Sequence, residues 1–564
     1  MKRYIKYLGF AILLMGVSYS CSDFERINED PKAFTADEVS AQYFLTGVQI
    51  RLYAPDRYPY WRAQLIHTDR YAGFFTFGFE GSWWADDLGY SYSGGYTDAA
   101  FDWLNTYVNL LTSYMDFVKP GGLLENERYY AIGLIMKGLY YQMFTDTFGM
   151  IPYTQVGDPT IPLPAFDSQA TIYQGIINDL DQAMSLIGSS TYTDDDPALS
   201  LSDNDVFFHG DLQKWKKLAN TLKLRMALRA QGASGASFAD TAITEAMQSG
   251  ILSTGDDNAL MAKDTEISQW DNACYGDVWY NFGTGSNWNV GKTLIDYLRD
   301  NNDPRLSKYA QPIGGGEVTF DKPTDAGEAA LFSKRVNFIL AQLDNAGVPY
   351  TRVDNADNTK VTVGAGEYYV GQPTRLNGQI YSYVKEALFS KPADIVINPK
   401  NQSKQIFPEV VSTAAEGNFL QAEAIVKGFA SGDEQAFYQE GIRQAMKMWG
   451  VDDSDIETFI ASEDMALLNG STDENLEKIA VQRWIATYTD GFEGWAIVRD
   501  TGYPSELAQG VSDYDIYAAG DLSGAYPQRM RYGSAVYNTN DANAQAAIQV
   551  QGPDVQATKL WWAK

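Results

Sequence analysis

Apolar residues return at every third or fourth position in one segment of this chain after another, and that period commits much of it to helices packed on helices. From Asp98 to Val118, the residues Phe101, Leu104, Val108, Leu111, Met115 and Val118 share one helical face. Asp98 is placed to cap this helix, and Pro120-Gly121-Gly122 ends it. Ser168 opens a second helix carrying Ile172, Ile176, Leu180, Ala183 and Ile187. Asp211 opens a third with Trp215, Leu218, Leu222, Met226 and Arg229, which Gly232 ends. The same pattern predicts helices over 37–53, 123–147, 416–430, 434–449 and 474–489. Consecutive helices on short turns form antiparallel pairs, as in helical-repeat scaffolds, although no repeat of fixed period is visible.

Residues 250–410 break the pattern. They are rich in Gly, Asn, Asp and Pro, with short candidate strands at Val318-Thr319-Phe320 and from Ile406 to Val411. Residues 71–96 are similar in kind. The architecture expected is mainly α: a helical scaffold mainly over 37–250 and 411–500, carrying a loop-rich lobe with short strands mainly over 71–96 and 250–410. Loops this long in a compact protein carry function.

The first twenty residues read as an address. Lys2, Arg3 and Lys6 precede a ten-residue apolar run from Leu8 to Val17, the length of a signal peptide's core and too short to span a bilayer. Ser18 and Ser20 then bracket Tyr19 just before Cys21, which resembles a bacterial lipobox with Ser18 where Leu is usual. On that reading residues 1–20 are removed, and Cys21 is diacylated and anchors the mature chain, residues 21–564. A plain secretory signal with an incidental Cys is the alternative. Cys274 is the only other thiol, so no disulfide is expected.

Composition excludes several functions. Acids outnumber bases by 72 to 43, a net charge of −29, which disfavours nucleic acid. Two Cys cannot make a structural zinc site. His67 and His209 are the only imidazoles, and both sit among aromatics as packing or hydrogen-bonding residues. The stretch from Gly285 to Thr293 misses the phosphate-loop spacing by one residue and instead begins a helix. Asp194-Asp195-Asp196 with Asp203 and Asp205 could supply oxygens to calcium, but Phe207 and Phe208 break the EF-hand order. With 72 acids, a carboxylate pair of the kind glycoside hydrolysis needs carries no information. No catalytic residue, metal ligand or cofactor site is assigned.

Aromatic clustering stands out instead. Between Tyr71 and Trp103, 12 of 33 residues are aromatic, and between Trp270 and Trp288, 6 of 19, against 14% overall. Both stretches mix Gly and polar residues and keep no clean helical period. Flat aromatic faces beside amides and carboxylates match the C–H faces and hydroxyls of a sugar ring. The candidate ligand residues are Trp83, Trp84, Tyr90, Tyr92, Trp270, Trp279, Tyr280 and Trp288, while Phe74, Phe75, Phe77 and Phe79 are assigned to packing. Trp83 or Trp84 is expected to meet Trp279 or Trp288 at one exposed site.

A series of motifs then runs along the chain in one order. It begins with Asn28-Glu29-Asp30-Pro31, Asp146-Thr147-Phe148-Gly149-Met150-Ile151-Pro152-Tyr153, and the run from Gly210-Asp211-Leu212 to Leu224-Arg225. Asp303-Pro304-Arg305-Leu306, Phe419-Leu420-Gln421-Ala422-Glu423-Ala424 and Gln482-Arg483-Trp484 follow. Glu493-Gly494-Trp495, Arg499-Asp500-Thr501-Gly502-Tyr503-Pro504, Pro527-Gln528-Arg529-Met530 and Trp561-Trp562 complete it. Together, behind a lipobox, these resemble the SusD/RagB family of outer-membrane lipoproteins of Bacteroidetes. The resemblance implies a tetratricopeptide-like scaffold and a surface lipoprotein, not an enzyme. It also implies a SusC-like TonB-dependent transporter as partner and a nutrient ligand, glycan or peptide. The motifs themselves read as scaffold: caps, packing and turns. The acidic charge, −32 once residues 1–20 are gone, mildly favours a neutral oligosaccharide over strongly anionic ligands. A peptide-binding member of the family is the alternative, and a surface glycoside hydrolase a further one.

Overall fold

Two of the expected helix starts are visible as hydrogen bonds. The Ser168 hydroxyl accepts from Thr171 N–H at 3.2 Å, and the Asp211 carboxylate from Gln213 N–H at 2.9 Å and Lys214 N–H at 3.2 Å. The computed structural model describes residues 40–53, 61–77, 88–192, 204–263, 288–397 and 407–563. Residues 1–39, including Cys21, lie outside them.

The N-terminal part of the scaffold comprises α1 (Gln42–Tyr53), α2 (Gly94–Val118), α3 (Glu127–Phe148), α4 (Gln169–Ile187), α5 (Leu212–Ala230) and α6 (Ala239–Met247). From α2 to α6 each helix packs on the next. The small helix α7 (Lys292–Asp300) and the long α8 (Ala326–Asn345) belong to the middle of the chain. The scaffold resumes with α9 (Ala414–Val426), α10 (Glu434–Met448), α11 (Asp453–Ser462), α12 (Thr472–Ala486) and α13 (Gly491–Thr501), and α14 (Asp541–Gln551) lies near the C-terminus. α9 packs on α10 and α12, and it also touches α5, which joins the two halves into one helix-pair scaffold. The chain is mainly helical, with a loop-rich lobe inserted.

One helix start differs from expectation. α2 begins at Gly94, one turn earlier than Asp98, with Ser93 at the cap position. Asp98 instead accepts from the Tyr92 hydroxyl at 3.1 Å and from the Ser534 hydroxyl.

Strands are short and antiparallel. β1 (Phe75–Phe77) pairs with β5 (Trp288–Val290), β2 (Ile151–Pro152) with β3 (Phe166–Asp167), and β4 (Ala259–Met261) with β9 (Glu409–Ser412). β6 (Gly316–Asp321), β8 (Asn358–Val363) and β7 (Tyr350–Asp354) form a three-stranded sheet in that order. This sheet and α8 enclose a core of their own, with Phe320, Val336, Leu343, Val361, Ile380 and Ile516 buried in it. α8, within 250–410, is a helix where loops and strands were expected.

Candidate functional site

Three-residue strands with a polar residue between two apolar ones, Phe75-Thr76-Phe77 and Trp288-Asn289-Val290, pair as a ribbon that flanks the loop region. Phe77 opposes Trp288, Thr76 opposes Asn289, and Phe75 opposes Val290. A polar strip backs it: Asn289 Nδ2 donates to Gln372 Oε1 at 2.6 Å, and Gln372 Nε2 to the Thr76 hydroxyl at 3.3 Å. The Tyr381 hydroxyl donates to Phe77 O at 2.6 Å.

Residues 78–87 and 264–287, which hold eight of the eighteen clustered aromatics, lie outside the described residues, and with them Trp83, Trp84, Trp270, Trp279 and Tyr280. Their roots are nevertheless side by side, because the first stretch leaves from Phe77 and the second returns at Trp288, its strand partner. At the other end of 264–287, Lys263 Nζ stands 3.1 Å from Glu409 Oε2 with both side chains buried, and Gln64 also hydrogen-bonds Glu409. Arg70 donates to Leu88 O, where 78–87 ends.

Two of the expected ligand residues prove to be core. Trp288 is 1% exposed, with its ring 4.8 Å from that of Phe77, and Tyr90 is 3% exposed. Tyr90 lies between two guanidinium groups, 5.4 Å from Arg70 and 4.6 Å from Arg375. Both rings are consumed by packing before any ligand arrives. Tyr92 is half-buried: its N–H donates to Asp521 at 2.7 Å and its ring carries Arg531 at 4.2 Å.

The other sequence candidates resolve into structural roles. Asp205, considered as a cation ligand, is buried and receives five donors: Gln49 Nε2, Trp215 Nε1 and the N–H groups of Phe207, Phe208 and Gly210, at 2.8–3.3 Å. Its oxygens organise the turn before α5. Asp203 and Asp194-Asp195-Asp196 lie outside the described residues. His67 is fully buried on a π-helical turn (Trp61–Thr68), and burial pushes it down to about 4, so it stays neutral near pH 7. His209, assigned to packing or hydrogen bonding, is exposed, on a turn with φ of 52°.

The motifs spread along the sequence converge in space. Arg229 reaches Asp146 at 2.6 Å and Glu493 at 2.5 Å, Arg225 pairs with Glu416, and Arg483 with Glu423 at 2.7 Å. Asp146 also accepts from the Tyr173 hydroxyl at 2.5 Å and from Trp562 Nε1 at 2.8 Å, while Arg499 donates to its backbone carbonyl at 2.6 Å. All these charged side chains are nearly or fully buried. A cavity of about 30 Å³ at this lattice, room for about one water, is bordered by Asp146, Arg225, Asp490 and Glu493. Burial, reinforced by Glu493, raises Asp490 to about 7. Glu493 is held below the carboxylate range by Arg229 and Arg225 against the burial that opposes it. Arg225, Arg229 and Arg483 each pair with a carboxylate, which makes the lattice a fold determinant.

Among the described residues no group of three His, Cys, Asp or Glu is placed to hold a metal, and no helix is long and apolar enough to cross a membrane. Sequence reasoning missed an open cleft of about 360 Å³ between the start of α7 and residues 506–517. Its side chains come from three distant segments, so no local motif announces it.

Several solved structures share the fold. A chitin-binding protein superposes with a TM-score of 0.68 at 22% identity, covering 93% of this chain and all of that one. A SusD-like protein from Bacteroides thetaiotaomicron gives 0.67 at 23%, covering 93% and 98%. A SusD homolog from Bacteroides uniformis gives 0.64 at 21%, covering 94% and 100%. No curated protein matches. The family model SusD-like_2, described as starch-binding and associating with the outer membrane, matches residues 45–324 and 350–533. That span takes in the motif carriers Asp146, Arg225, Arg229, Glu416, Arg483, Glu493 and Arg499, whose side chains close on one another inside the scaffold, so the chain belongs to the SusD-like family of outer-membrane nutrient-binding proteins.

Proposed function

We propose that this protein is a surface lipoprotein, anchored to the outer membrane through Cys21, that binds a neutral oligosaccharide and hands it to a SusC-like TonB-dependent transporter. One observation supports the ligand reading above others: the Phe77–Trp288 pairing roots two aromatic-rich stretches side by side. Trp83, Trp84, Trp270, Trp279 and Tyr280 are then the residues that stack on sugar faces, with Tyr92 at the margin. The chitin-binding activity named for one structural relative agrees with this class of ligand. The protein acts by binding and not by turnover, in keeping with its family: Asp146, Glu416, Glu423 and Glu493 are committed to arginines, and His67 is a neutral core residue. Delivery to a transporter needs a specific interface above about 1,000 Å².

Titration calorimetry of the purified protein against maltoheptaose, chitohexaose, xylohexaose, cellohexaose and mannohexaose tests the reading. A reducing-end assay runs on the same mixtures. Saturable binding without new reducing ends is expected. Turnover that persists through further purification overturns the binding-only function, and binding of peptides with no binding of any glycan overturns the ligand class.

A further inference from the structure

The cleft beside α7 is lined by described residues, and hydrogen bonds hold both of its walls. Gly291 sets where α7 begins: its N–H donates to Phe74 O at 2.9 Å, and a Cβ there would lie 1.9 Å from Gly73 O. The facing segment, 510–525, is fastened by Arg375, whose guanidinium donates to the carbonyls of Ala518, Ala519, Gly524 and Ala525 at 2.7–2.9 Å. α8 braces the same segment from outside. Lys334 Nζ reaches Asp513 at 2.8 Å and Asp515 at 2.7 Å, and Phe338 packs edge-on to Tyr517 at 5.7 Å. The family match breaks over residues 325–349, the span that holds all of α8.

The lining has a definite chemistry. Thr293, Thr374 and Ser512 bring hydroxyls, and Asp296, Glu506 and Asp513 bring carboxylates. Tyr297, Tyr517, Pro373 and Leu507 supply apolar surface, and the Tyr297 hydroxyl lies 3.5 Å from Glu506. One lining cation, Lys292, is already held by Asp296. Lys292 and Arg299 balance Asp296 and Lys334 balances Asp513, so the cleft offers no net pull on anions, while carboxylates and hydroxyls beside flat apolar surface suit a polyol. A volume of about 360 Å³ is at the small end of ligand sites, about 300–1,000 Å³.

We infer that this cleft is a subsite for a neutral sugar unit of the bound oligosaccharide, its shape set by the α8 brace on residues 513–517. The inference rests on the oligosaccharide reading above. It also gives α8 a purpose, because a preformed wall spares a ligand the cost of ordering it.

The test compares the purified wild-type protein with Thr374→Trp, which fills the cleft, and with Ser512→Trp, which blocks it from the exposed rim should Thr374→Trp melt early. Affinities are measured for the five neutral hexa- and heptasaccharides named above and for a galacturonate hexamer. A neutral oligomer is expected to bind at least tenfold more weakly to a blocked variant of unchanged melting temperature, and to slow amide exchange over 506–517 in the wild type. Unchanged affinity in a folded blocked variant overturns the subsite and leaves the oligosaccharide reading standing. Binding of the galacturonate hexamer that the block abolishes overturns the neutral class. Failure of every neutral oligomer to bind wild type overturns the oligosaccharide reading, and the subsite with it.

Discussion

Phe77 and Trp288 face each other across the β1–β5 ribbon with ring centroids 4.8 Å apart, both buried. The pairing separates two kinds of tryptophan. Trp288→Ala should cost about 3–5 kcal/mol of stability, as truncation of a core aromatic does. Trp83→Ala, Trp84→Ala, Trp270→Ala and Trp279→Ala should leave the melting temperature nearly unchanged. At least one of them should lose about 2 kcal/mol of binding, roughly thirtyfold in affinity. Melting and calorimetry on the same five variants decide it, and stability losses in all five would move the site elsewhere.

Removing Arg229 strands two buried carboxylates, Asp146 and Glu493. Arg229→Met should therefore destabilise by about 3–5 kcal/mol in urea unfolding. Arg443→Ala breaks an exposed pair with Glu457 at 2.9 Å and should cost no more than about 1 kcal/mol. Comparable losses in the two variants would contradict the assignment of the lattice to the fold.

His67 supplies a pH signature. Its folded-state value, lowered to about 4 by burial, lies below the unfolded 6.5, so the unfolded chain takes up the proton first as pH falls. Its contribution is complete above about pH 6.5 and is lost on acidification towards pH 4, on the order of 3 kcal/mol in all. Unfolding free energies at pH 7 and 4.5 should differ by less in His67→Phe than in wild type. An identical difference would show that His67 carries no linkage.

Gly291→Ala should destabilise by about 3 kcal/mol or force the β1–β5 ribbon apart, since its Cβ would meet Gly73 O at 1.9 Å. Gly47 on α1 is the control. A Cβ there meets nothing within 4 Å, and Gly47→Ala should stabilise by about 0.5–1 kcal/mol. Thermal melts of the two variants should shift in opposite directions.

Cys21→Ala should prevent acylation and release the folded protein from the membrane in cells that lack the transporter. Continued fractionation with the outer membrane in that background would overturn the anchor.

Helix starts were legible where the cap is a local hydrogen bond, as at Ser168 and Asp211. α2 starts a turn before the cap its sequence suggests because Asp98, four residues into the helix, accepts from Tyr92 and Ser534 instead, and Ser534 is 436 residues away. α8 carried its own signal, an Asp325 cap with Phe332, Val336, Ile339, Leu340 and Leu343 at helical spacing, hidden by the Gly- and Pro-rich sequence around it. Tyr90 and Trp288 looked like binding residues because their sequence neighbours are polar, yet what buries them comes from residues 70, 77 and 375. Burial by distant partners leaves no mark on local sequence.

Asp146 takes an N–H bond from Trp562, 416 residues downstream, and its carbonyl serves Arg499, 353 residues downstream. A chain that emerges from its N-terminus makes α3 long before it makes either donor. Until they arrive, Arg229 and the Tyr173 hydroxyl can serve that carboxylate, and its remaining bonds fall to water. The native surroundings of Asp146 are thus complete only when almost the whole polypeptide is present. Contacts of such long range slow folding, because the loop between the partners must close before they offset its entropy.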